Sequence, residues 1–170
     1  MIARYPLLAQ RLRNELQMLE QVVERAEGGL RRANEQVEDR EYFLTAGAFD
    51  LHSFYTGLER VLELIAREVD QSLPSSPHWH RDLLSQMSLT IPNVRPAVLA
   101  PETETALDEY LRFRHVVRNV YTFNLHPVRV AELIGALRPT FEQVQRDLLT
   151  FAGVLETLAT ADEEEDTEQG

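Results

Sequence analysis

The sequence contains no cysteine. Disulfide staples, thiolate zinc sites and cysteine nucleophiles are therefore excluded, and so is a secreted disulfide scaffold. Lysine is missing too: all 17 basic residues are arginine, whose planar guanidinium suits two-pronged contacts with phosphate. No apolar run approaches the ~18 residues that span a membrane. The opening residues, Met1 to Pro6, lack the basic-then-apolar order of a secretion signal. The expected setting is cytoplasmic, with no membrane contact. No glycine-rich phosphate loop, Ser/His/Asp order or metal-ligand spacing is present, so neither a cofactor nor a metal is expected.

What is present is enough apolar residue for a core, 44% of the chain, which argues against disorder over most of its length. The period is helical. Leu8, Leu12, Leu16, Leu19, Val23, Ala26, Leu30, Ala33 and Val37 recur at steps of three and four, which predicts one long amphipathic helix opened by Pro6. Gly28-Gly29 marks a place for a bend. A second long helix is expected over 40–70, with Leu44, Ala48, Leu51, Tyr55, Leu58, Leu62 and Ile65 on its apolar face. Leu73-Pro74-Ser75-Ser76-Pro77 breaks the chain. A short helix should follow over 79–88, then a proline-rich loop over 90–101. Thr103 is placed to cap a helix over 104–121. The last helix starts near Pro127, carries apolar residues to Leu158, and should kink at Pro139. The expectation is an all-α antiparallel bundle of four long helices and one short one over 1–160. An acidic, disordered tail over 161–170 holds six of the 28 acids.

That uneven charge matters, because a net charge of −11 otherwise speaks against nucleic acid as a partner. From Tyr110 to Ala131 there is no acid, while Arg112, Arg114, Arg118, Arg129, His115 and His126 fall inside the window. On a helix Arg114, Arg118 and Tyr121 sit at i, i+4 and i+7 and share a face, with His115 and Asn119 a neighbouring i, i+4 pair. Guanidiniums that hold a phosphate and an imidazole that moves a proton are the ingredients of phosphoryl chemistry. The plainer alternative is a structural role, with the arginines paired to acids of other helices such as Asp50, Glu59 or Glu63.

Elsewhere, His78-Trp79-His80 reads as a surface turn in which Trp79 anchors the short helix, since only Asp82 lies near it as a further metal ligand. His52 reads as an ordinary helix histidine.

The run Arg114-His115-Val116-Val117-Arg118-Asn119-Val120-Tyr121 resembles the signature of HEPN-domain proteins of the HepT-like toxin group. That signature is an arginine, a polar residue, a histidine five positions after the arginine, and a tyrosine two further on. Phe49 to Arg60 is similar to that family's second helix. The resemblance implies RNA cleavage without a metal, in which the RNA 2′-hydroxyl attacks its own phosphate. It further implies a homodimer, and a nucleotidyltransferase antitoxin that places AMP on the motif tyrosine, here Tyr121. Catalytic candidates are then Arg114, His115, Arg118, Asn119 and Tyr121, and RNA contacts are Arg112, Arg114, Arg118 and Arg129. The sequence departs from the signature at Asn119, which stands where the histidine belongs; an amide does not exchange a proton near neutral pH. His115, one turn away, is the nearest substitute. The alternative implied is a homologue weakened in catalysis that binds RNA or protein.

Overall fold

The computed structural model describes residues 4–121 and 124–168, with side chains to Ala161. Five α-helices follow in order: α1 (Arg4–Glu35), α2 (Arg40–Ile65), α3 (Trp79–Met87), α4 (Pro101–Asn119) and α5 (Pro127–Glu168). Among the described residues none of them is long and apolar enough to cross a membrane. The all-α bundle expected from the apolar periodicity is the fold observed.

The long helices run antiparallel, as the ion pairs between them show. Arg4 meets Glu68 and Arg25 meets Asp50, linking opposite ends of α1 and α2. Arg13 meets Glu156 while Glu27 meets Arg138, which does the same for α1 and α5. The expected stripes are buried together: Leu12, Leu16 and Val23 of α1, Leu51, Leu58 and Leu62 of α2, Leu137, Phe141 and Leu148 of α5. Where α2 and α5 cross, Gly47 leaves room for Ile134, whose Cδ1 would lie 2.5 Å from an added Cβ and would have to shift.

Some local expectations are corrected below. α1 is continuous through Gly28-Gly29, and α5 is continuous through Pro139. α2 ends in a π-helical turn, Ala66–Asp70, closed by Gln71 in the left-handed region at φ 52°. Thr103 is not the cap of α4. The helix begins two residues earlier, with Pro101 in its first turn and Ala100 as the flanking residue. Thr103 Oγ1 instead donates to Asp147 Oδ2 of α5 at 2.6 Å, and the Ala100 N–H donates to the same oxygen at 2.9 Å. An acid from another helix thus does the work assigned to a local hydroxyl. α5 is helical to Glu168, which takes it into the stretch expected as an acidic tail.

The loop before α4 is fixed by Arg95. Its side chain is 0% exposed and lies against Asp70, 1% exposed. Its Nε and Nη2 donate to the two Asp70 oxygens at 2.5 and 2.7 Å, and further bonds go to the Leu89, Pro96 and Gln86 carbonyls. A buried charge is tolerable only when paired and hydrogen-bonded in this way.

Candidate functional site

α4 presents its arginines in two directions. Arg112 pairs with Asp108 Oδ2 at 2.8 Å, and Arg129 of α5 pairs with Glu109 and with Glu132 at 3.6 Å. These two line one groove of about 290 Å³ with Phe113, Val116, Leu125 and His126. Arg114, two positions on and so about 200° round the helix, turns towards α2. Its side chain is 11% exposed, and Nη2 lies 3.6 Å from Glu59 Oε1. Of the acids that sequence offered as partners, Glu59 is the one Arg114 uses; Asp50 is taken by Arg25.

Glu59 is itself buried, 4% exposed. Its second oxygen accepts a hydrogen bond from His80 Nδ1 at 2.6 Å, and Trp79 stacks on the His80 ring at 3.7 Å. The pair His78 and His80 therefore does not stand as a metal site; His80 serves the Glu59 carboxylate, and among the described residues no group of three or more ligating side chains could hold a metal. Burial, reinforced by the Glu59 charge, also pushes the neighbouring Tyr55 hydroxyl upward.

His52 lies on the same stripe of α2 as Tyr55, Thr56 and Glu59. It is half-buried, and its imidazole is held below the usual histidine range, first by burial and then by the charges of Arg114 and Arg118; Glu59 pulls the other way. The histidine within electrostatic reach of the two α4 arginines is thus on α2. Three buried polar atoms here have no hydrogen-bond partner: His52 Nδ1, Thr56 Oγ1 and Arg114 Nε. Buried polar atoms in folded proteins are nearly always paired, and each left alone costs about 1–3 kcal/mol. His52 and Thr56 also line an open groove of about 550 Å³ between α1 and α2, with Met18, Val22, Phe49 and Arg60. Arg60 and Arg118 have no ion pair among the described residues.

The remaining candidates fall apart in space. His115 and Asn119 are exposed on the solvent side of α4, where the Asn119 side-chain amide donates to the His115 carbonyl at 2.7 Å. Neighbours in sequence are about 100° apart on a helix, so burying Arg114 sends His115 outward. Tyr121 does not share the face of Arg114 and Arg118. The helix ends at Asn119, Val120 is extended at φ −127° and ψ 156°, and Tyr121 lies beyond it, 73% exposed.

The all-α bundle is consistent with a HEPN-like fold, and its fourth helix turns Arg114 onto the second. The profile of the HepT-like protein family matches residues 46–155, from α2 to the body of α5. The chain belongs to that family. No curated protein and no solved structure matches it.

Proposed function

We propose that this chain is a HepT-like toxin, an endoribonuclease that cleaves RNA without a metal and is held in check by a nucleotidyltransferase antitoxin. The observation that carries this reading is the family match over residues 46–155, supported by Arg114 turned onto α2 among polar atoms that lack partners. Two guanidiniums are suited to a phosphate whose charge grows during attack by the 2′-hydroxyl. Arg112 and Arg129 would extend the contact along the flank of α4 once RNA phosphates displace their surface acids, since exposed ion pairs are worth little. Two copies of the cleft facing one another in a homodimer would enclose the strand. Tyr121, exposed just past α4, is the residue expected to receive AMP from the antitoxin.

For proton transfer α4 offers only His115, which is turned to solvent, and Asn119 replaces the signature histidine. That replacement favours a second reading: a weakened homologue that binds RNA or a protein partner through the same face. One experiment separates them. RNA is incubated with the purified chain and with Arg114→Ala in the presence of a chelator. Cleavage by the parent that Arg114→Ala loses supports the ribonuclease; no cleavage, with binding that still depends on Arg114, supports the second reading. Co-expression with a neighbouring nucleotidyltransferase, followed by peptide mass measurement, tests the modification. Tyr121 recovered unmodified from a tight, inactive complex would rule it out.

A further inference from the structure

The ribonuclease reading leaves a gap: it needs an imidazole, and α4 supplies none beside its arginines. Three observations place one on α2. His52 feels the charges of Arg114 and Arg118 from α4. It lines the groove between α1 and α2, where a ligand has access. Among the described residues neither of its ring nitrogens has a hydrogen-bond partner, and Nδ1 is fully buried. Buried polar atoms are nearly always paired, but among the described residues this nitrogen is uncommitted. His80 shows the contrast: its Nδ1 is committed to Glu59.

Resting on the ribonuclease reading, we propose that His52 is the proton acceptor of the site, taking the proton of the RNA 2′-hydroxyl while Arg114 and Arg118 hold the phosphate. The step balances as follows. The 2′-oxygen forms a bond to phosphorus as its proton passes to the imidazole. The bond from phosphorus to the 5′-oxygen breaks, and that oxygen takes the proton from the imidazolium, directly or relayed through a water molecule. The products are a 2′,3′-cyclic phosphate and a free 5′-hydroxyl, and His52 returns to its neutral form.

The surroundings suit that role. The groups facing His52 are Arg114 and Arg118 from α4, Glu59 and Arg60 from α2, and Glu15 across the groove from α1. Burial and the two α4 guanidiniums keep the ring neutral at pH 7, the form that accepts a proton. The same guanidiniums then meet a phosphate, whose negative charge offsets theirs and favours the imidazolium as it forms. Position 52 lies in the segment that resembles the second helix of the family, so the imidazole comes from a different helix than the signature provides.

The test uses chelator-treated full-length chain and a single-stranded RNA. Four variants are compared with the parent: His52→Gln, His52→Ala, His78→Ala and Arg114→Ala. The expected loss in both His52 variants is about 10²- to 10⁴-fold, with unchanged helical circular dichroism, while His78→Ala, at an exposed histidine outside the site, retains activity. The parent rate should rise with pH to a plateau, with a midpoint below the ordinary histidine value of about 6.5, and His52→Gln should lack that limb. Added imidazole should restore part of the rate of His52→Ala, because the groove is open; a merely structural histidine would not respond. A parent that cleaves and loses activity in Arg114→Ala but not in His52→Gln overturns the assignment of His52 and leaves the ribonuclease reading intact. A parent that does not cleave overturns both.

Discussion

Glu59 holds Arg114 with one carboxylate oxygen and His80 with the other, at 3.6 and 2.6 Å. The three residues come from α2, α4 and α3, so a single buried carboxylate ties together the helices that shape the site. It also fixes the direction of Arg114, whose guanidinium would otherwise be free to swing outward with Arg112.

Glu59→Ala should therefore cost more stability than Arg114→Ala. Removing one partner of a buried charged pair leaves the other unpaired, at a cost of about 3 kcal/mol or more. With Arg114 gone, His80 still satisfies Glu59; with Glu59 gone, Arg114 loses its counter-charge and His80 its hydrogen-bond partner. Urea unfolding of the two variants and of the double variant measures the coupling. Equal costs that simply add would show that the pair is not coupled.

Arg95→Ala should be among the most damaging substitutions in the chain. It makes five hydrogen bonds, two of them to Asp70, and the two side chains are 0% and 1% exposed, so a loss of about 3–5 kcal/mol is expected. Thermal and urea unfolding would record it. A loss below about 1 kcal/mol would mean that the loop over 90–100 does not depend on this residue.

The glycines separate into two kinds. At Gly28 and Gly29 an added Cβ would make only ordinary contacts, 3.6 Å from an Arg31 nitrogen and 3.8 Å from the Phe43 carbonyl. Alanine at either site should stabilise the chain by up to about 1 kcal/mol, the helix-propensity difference. Gly47→Ala should give no such gain, because the new methyl meets Ile134 in the core. Melting temperatures of the three single variants test the contrast.

Burial and two arginines depress the His52 titration in the folded chain. Between its folded midpoint and the unfolded value of about 6.5, the unfolded chain binds a proton that the folded chain refuses. Stability contributed by this residue is thus present above pH 6.5 and declines as pH falls through that window. His52→Gln should be less sensitive to acidification between pH 7 and 5. NMR titration of the His52 ring with a midpoint above 6.5 would contradict this.

The helices were legible because their apolar steps of three and four are a local signal, and the buried residues of α1, α2 and α5 match them closely. The arginines of α4 were legible as a cluster for the same reason. What they face was legible only in part. Glu59 was among the acids offered as partners, and Arg114 uses it, but nothing near His52 in sequence points to α4. The split of Arg112 and Arg129 from Arg114 and Arg118 depends on which side of α4 packs on α2. The position of Tyr121 depends on one residue, Val120, leaving the helical conformation. Thr103 was misread because its partner, Asp147, lies on α5.

The start of α4 is pinned by Thr103 and Ala100 to Asp147, and the chain leading into it by Arg95. From Pro101 to Arg114 is thirteen steps, roughly 20 Å at ~1.5 Å per residue. The anchor that aligns α4 is thus remote from Arg114, Arg118 and Asn119. Single substitutions at the far end can change what that end presents while the helix keeps its place. One end of α4 is committed to holding the helix, and the other is left free to vary.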